Sequence, residues 1–205
     1  MIGQTDQANH QYALTDLWNA VAAGNLPAVT FIKASAVNTG HPATSTPLAE
    51  QGFLVETINA LQQTPQWASM AILIAYDDSD GWYDHVMPPI VNPSSDAAND
   101  TLAGAGMCGN STAGAYQDRC GYGPRLPFLV ISPWAKQNNV DHALNDQTSI
   151  LRFIEDNWGL PQIGDQSFDA IAGSILGHFN FTSSPHSQTV ILNPTSGAVV
   201  GKHGN

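Results

Sequence analysis

Apolar residues along this chain change their rhythm several times, and each change predicts an element. Leu14, Leu17, Trp18, Val21 and Ala22 fall on one face at helical spacing, with Gly24 and Asn25 to stop it, so the first 25 residues read as a helix. Pro27 to Ala34 (PAVTFIKA) is β-branched and apolar and reads as a strand. The turn-rich loop from Asn38 to Pro47 then carries His41 and Pro42. From Glu50 to Gln63 the helical repeat returns through Phe53, Leu54, Ile58 and Leu61, and Pro65 marks its end.

Ser69 to Tyr76 (SMAILIAY) is a continuous apolar run, the pattern of a strand buried on both faces. From Met87 to Gly123 the chain turns to Pro, Asn, Ser, Gly and Ala without periodicity, a long excursion rather than a core element. Pro127 to Pro133 (PFLVISP) reads as a second buried strand. Asn145 to Trp158 reads as a helix capped by Asn145 or Asp146, with Ile150, Leu151, Phe153 and Ile154 inward. The remainder is short apolar patches among Ser, Thr, Gly and Pro, and the end, GKHGN, is expected to fray. This alternation predicts a three-layer α/β domain, in which ligands bind beyond the carboxyl ends of the strands.

At such an end stand Asp77 and Asp78, followed by Asp84 and His85. Side chains of neighbouring strand residues point to opposite faces, so two adjacent aspartates converge only where the strand ends and the chain turns. Two carboxylates brought together repel, and one is forced to protonate unless a divalent cation lies between them. Hard oxygen ligands suit Ca, Mg or Mn, and a nearby His admits Zn or Fe. The competing reading of DDSDG is a solvated turn, common at strand ends. The stiff aromatic sequel Trp82, Tyr83, Asp84, His85 and the Pro88, Pro89 pair favours a built site. An EF-hand is excluded, because that template would put Met87 where its bidentate Glu belongs.

His41 is expected at the same sheet edge, where it could donate to a phosphoryl oxygen or protonate a leaving group; a surface loop His is the commoner reading for any single one. The same holds for His10, His142 and His178, while His186 and His203 carry no functional reading. Arg125, just before the second buried strand, either clamps an anion or pairs with an aspartate. No GxSxG elbow, HExxH, P-loop or dinucleotide fingerprint is present, and no nucleophile can be chosen among the many Ser and Thr.

Composition narrows the partners. Hydrophobic residues make up 42% of the 205, enough for a core, and only 11% are charged, against roughly 25% in an average soluble domain. With 6 Lys plus Arg against 17 Asp plus Glu, no basic footprint exists for nucleic acid or anionic lipid. Cys108 and Cys120 flank a Gly- and Ala-rich stretch; a disulfide there would contribute about 3 kcal/mol in an oxidising compartment, and two free thiols are the alternative. The start, MIGQTDQANHQY, has no signal-peptide pattern, and no run approaches the ~20 apolar residues of a membrane span.

The runs YDDSDGWYDHVMPP, CGYGPRLPFLVISPWAK and DQTSILRFIEDNW, with LPAVTFIKA and the His41, Pro42 pair, agree in order and spacing with a known family. From about His10 to about Phe181 the chain resembles the bacterial phosphoesterases comprising acid phosphatases and phospholipases C, of the alkaline phosphatase-like superfamily. That resemblance implies a three-layer sandwich with a mostly parallel central sheet. It also implies hydrolysis of a phosphomonoester or phospholipid, assisted by a divalent metal and a Ser or Thr nucleophile. Asp77 and Asp78 match metal ligands, His41 and His85 are the candidate catalytic histidines, and Asp84 and Arg125 are expected beside the metal or substrate.

Residues 1–185 would then be the C-terminal part of a catalytic domain, with 87–123 as its excursion and 186–205 as a tail. The family's first strand, its other metal ligands and its nucleophile have no counterpart before His10. The chain is therefore expected to be incomplete at the N-terminus and inactive alone, the full-length protein being periplasmic or secreted. The alternative is a non-catalytic metal-binding or interaction module on a degenerate version of the same fold.

Overall fold

The computed structural model describes residues 11–79, 81, 85–86, 88–89, 102–104, 107–108, 122–164 and 167–204. Three α-helices and six strands lie within them: α1 (Leu14–Ala23), α2 (Pro47–Gln62), β1 (Ile72–Ala75), β2 (Leu102–Gly104), β3 (Met107–Cys108), β4 (Phe128–Ile131), α3 (Ser149–Trp158), β5 (Thr189–Leu192) and β6 (Val199–His203). Short 3₁₀ turns cover Ala36–Asn38, Pro65–Ser69, Phe168–Ala170 and Ile175–His178. The chain is thus α/β. Its described strands form three two-stranded sheets, β1 with β4, β2 with β3 and β5 with β6, the last two antiparallel. No helix is long and apolar enough to cross a membrane among the described residues.

The chain divides into two compact units, one of Met1–Ile72, Ile131–Ala135 and Asn180–Asn205, the other of Leu73–Val130 and Lys136–Phe179. In the first unit, α2 starts where Thr46 accepts the Ala49 N–H at 3.2 Å and Pro47 occupies the first helical position. Its Leu61 is buried, as is Trp67 in the following 3₁₀ turn. One side of α2 presents amides to the β5–β6 hairpin. Asn59 donates to Leu192 O at 2.8 Å and accepts from Leu192 N at 3.2 Å, Gln62 accepts from Val190 N, and Gln51 donates to Pro194 O and Thr195 O. Asn59 thereby bonds β5 as a neighbouring strand residue would, and the exposed backbone edge is satisfied without another strand.

In the second unit, α3 ends at Gly159, which takes a left-handed conformation, and Phe153 stacks on Phe179 with ring centroids 5.2 Å apart. Arg152 donates to Ala172 O, and Ile175 and Ala172 are buried. Two carboxyl groups close this core, Glu155 on α3 at 8% exposure and Asp169 at 0%. Burial pushes the Glu155 carboxyl up, and its hydrogen bond to Asp169 and that group's charge add to the rise. Asp169 is held below its usual range by hydrogen bonds from Ser167 and from the Ile163 N–H, the latter at 3.0 Å. The two carboxyl groups are thus shifted in opposite directions, Glu155 toward its protonated form and Asp169 toward its ionised form.

Several expected elements are revised. Pro27 to Ala34 is not a strand: the segment is irregular, with Phe31 76% exposed, because no strand among the described residues pairs with it. β1 and β4 are shorter than the apolar runs that announce them and are only partly buried. The α3 helix begins at Ser149 rather than Asn145. The end expected to fray instead contributes Val199–His203 to a hairpin. Of the 87–123 excursion only Pro88, Pro89, Tyr122, Gly123 and the backbone of β2 and β3 fall within the described residues.

Two measurements probe this packing. Asn59→Ala strips two hydrogen bonds from β5 and is expected to lower stability by about 1–3 kcal/mol in urea denaturation. For the carboxyl pair, Glu155 has a raised folded pKa, so its stabilisation is complete below 4.5 and is lost as pH rises through the folded value. Glu155→Gln keeps a neutral donor and should melt like the wild type near pH 4 and above it at pH 8. A constant difference at both values would refute the upward shift of Glu155.

Candidate functional site

The apolar strand β1 stops at Ala75, and the chain bends at Asp77. Asp77 and Asp78 are both solvent-exposed, and Gly81 has φ 81°. A side chain from elsewhere in the second unit fixes this bend. Gln147 donates from Nε2 to Tyr76 O at 2.7 Å and to Asp77 O at 2.8 Å. Consecutive carbonyls of an extended strand point opposite ways, so one amide nitrogen reaches both only where the alternation has broken. The condition for adjacent aspartates to face one site, a turned backbone, is met here.

Gln147 is itself held by the approach to α3. Asp146 accepts from the Thr148 N–H at 2.7 Å and hydroxyl at 2.5 Å, and the Asp146 N–H donates to the hydroxyl of Ser149, which is 1% exposed. Tyr122 hydrogen-bonds to Asp146. Its hydroxyl is pushed above the usual phenol range by desolvation first, and then by the charge and hydrogen bond of Asp146. The Tyr122 N–H also donates to Pro89 O at 3.3 Å, so the two ends of the excursion meet beside Asp146. Arg125, three residues beyond Tyr122, and His85 are exposed in the same unit.

His41 belongs to the first unit. Its loop is tightly made: the Gly40 N–H donates to Ser45 Oγ, which donates to Val37 O, and the His41 carbonyl accepts from Thr44 and Ser45. Gly40 has φ 76°, a conformation that favours glycine, and a Cβ there would make the Glu50 carboxylate shift. Ala43 takes φ 67°, which costs an L-residue about 1–2 kcal/mol. Strain of this kind concentrates where a loop must hold one shape. The His41 Nδ1 lies 2.6 Å from Pro42 O. A carbonyl can only accept, so Nδ1 carries a proton, and Nε2 is the atom through which the neutral ring can accept one.

Asp84 and Cys120 lie outside the described residues, as do His10 and the side chain of Cys108, so the expected disulfide falls outside them too. Asp77 and Asp78 offer two hard oxygen donors, the chemistry a divalent cation requires. Among the described residues no group of three or more His, Cys, Asp or Glu is placed to hold a metal ion. The two aspartates therefore fit such an ion as a pair of ligands rather than as a full shell. Gln147 and Tyr122 were not evident from the sequence; the only signal was the polar DQTS stretch where a helix cap was expected.

A model of the phosphoesterase family matches residues 2–161. The chain is 31% identical to a non-hemolytic phospholipase C of Pseudomonas aeruginosa, over 91% of this chain and 28% of that protein. A non-hemolytic phospholipase C of Burkholderia pseudomallei is 37% identical over 85% of this chain and 25% of its own length. Phospholipase C A of Mycobacterium tuberculosis is 28% identical over 82% and 32%. The chain thus spans between a quarter and a third of these relatives.

The Tyr122 to Asp146 contact is checked by ultraviolet titration. The phenolate transition lost in Tyr122→Phe should lie above pH 10, and Asp146→Asn should bring it down. An unshifted transition in Asp146→Asn would remove Asp146 from this site.

Proposed function

Because the chain belongs to the phosphoesterase family, we propose that it supplies the strand-end half of a metal-assisted phosphate ester hydrolase. The observation that carries the reading is the pair of exposed aspartates at the bent end of β1, in a chain whose family match covers that segment. Asp77 and Asp78 would hold a divalent cation, which when bound neutralises charge developing on a phosphoryl group and favours an ionised nucleophile. The further ligands and the nucleophile come from polypeptide beyond this chain, as the length of the relatives suggests. The fold completed in that way is the alkaline phosphatase-like three-layer sandwich with a mostly parallel sheet.

The residues of this chain then bind and move protons. His41, with Nδ1–H held by Pro42 O, presents Nε2 to accept a proton, or once charged to donate one to a leaving oxygen. His85 is the second candidate proton carrier, Arg125 pairs with phosphate oxygens, and Asp84 supports the metal or its neighbours. Three relatives are named as phospholipases C. That favours a phospholipid phosphodiester over the phosphomonoester of an acid phosphatase, and a periplasmic or secreted location for the whole protein.

The test is a chimera in which this chain replaces the matching segment of the Pseudomonas aeruginosa relative, assayed on phosphatidylcholine and on p-nitrophenyl phosphate. Turnover of phosphatidylcholine is expected. Asp77→Asn or Asp78→Asn should reduce it beyond the 10- to 100-fold that changes around a metal's ligands typically cost. A folded chimera that binds Mn²⁺ through these aspartates and hydrolyses neither substrate would favour a non-catalytic metal-binding module. Wild-type turnover in either variant would sink the metal role.

A further inference from the structure

We propose that Gln147 is a positioning residue for the cation, its forked amide holding the backbone of Tyr76 and Asp77 in the bent form that lets both carboxylates serve one ion. This rests on the metal-site reading above and extends it by naming what keeps the ligands in place. Adjacent strand side chains diverge to opposite faces, so the resting preference of a strand is to separate Asp77 from Asp78. The two bonds from Gln147, at 2.7 and 2.8 Å, require both carbonyls to face one side. They set a cost on any return to the extended alternation.

Three features suit Gln147 to this task. An amide NH₂ carries two donors, which matches two adjacent carbonyls one to one. It is neutral, so it neither repels a cation nor pairs with the Asp77 carboxylate as Arg or Lys would. It is also locally anchored, since Asp146, Thr148 and Ser149 brace the residues on either side of it and Ser149 is buried. Gln147 is itself exposed, so its replacement removes the fork without opening the core. The effect should therefore appear in cation affinity before it appears in stability.

The experiment titrates the metal-free chimera described above with Mn²⁺ alone, following the free ion by electron paramagnetic resonance. Gln147→Met, which keeps the length and loses both donors, should weaken Mn²⁺ binding by about tenfold while the metal-free protein melts near the wild-type temperature. Gln147→His, which keeps one N–H, should recover part of the affinity. Binding that depends on Asp77 and Asp78 but is equal in wild type and Gln147→Met would overturn the positioning role and leave the metal site standing. Binding unaffected by Asp77→Asn and Asp78→Asn would instead overturn the metal site. Should Gln147→Met fail to fold, Gln147→His decides: weakened binding supports the proposal, and wild-type affinity refutes it.

Discussion

A backbone peptide group removed from water must find a hydrogen-bond partner, and in this chain amide side chains repeatedly provide it. The described strands are two to five residues long and pair only two by two, so most strand edges have no neighbouring strand to satisfy them. Asn59, Gln51 and Gln62 do so for β5 and the turn after it, and Gln147 does so beyond the end of β1. This gives a physical sense to a composition poor in charge. An amide both donates and accepts without the desolvation penalty of an ion, so it can complete a sheet edge that a Lys or Glu could only cover.

The candidate site inherits its geometry from the same constraint. β1 brings its chain to the bend, but four residues of strand cannot by themselves dictate the path of the backbone beyond them. The bend is set from outside, by a side chain anchored at the start of α3, and the Tyr122 contacts bring both ends of the excursion to that anchor. Alternation of strand and helix therefore has a local consequence here: the residue just before a helix shapes the residue just after a strand.

How much of this was legible from sequence depends on whether the determinants were local. The helical repeat of α2 and the aspartates past an apolar run both concern neighbours in the chain, and each was found close to where expected, although α2 starts at Pro47 rather than Glu50. PAVTFIKA was misjudged because its β-branched residues report a preference that only a partner strand can realise, and none among the described residues does. The closing hairpin was missed for the converse reason. Its stability comes from amides on α2, more than a hundred residues away in sequence. Gln147 escaped notice because nothing in DQTS distinguishes a helix approach that merely caps from one that also reaches a distant strand.

The acidic excess of the chain ends in two carboxyl pairs that the fold treats in opposite ways. Glu155 and Asp169 are buried, the groups that shift them are hydrogen bonds and other carboxylates, and Asp156 adds further negative charge beside Glu155. Arg152 is engaged elsewhere, with Asp156 at 3.7 Å and with Ala172 O. In that setting a second full charge is disfavoured, which moves the Glu155 carboxyl toward its protonated form. Asp77 and Asp78 are instead exposed, just past the end of β1. Burial thus shifts the carboxyl groups of one pair, while the other pair is the one to which the proposed site assigns a divalent cation. In the proposed site the exposed pair takes its geometry from the backbone, which the forked amide of Gln147 holds at the Tyr76 and Asp77 carbonyls.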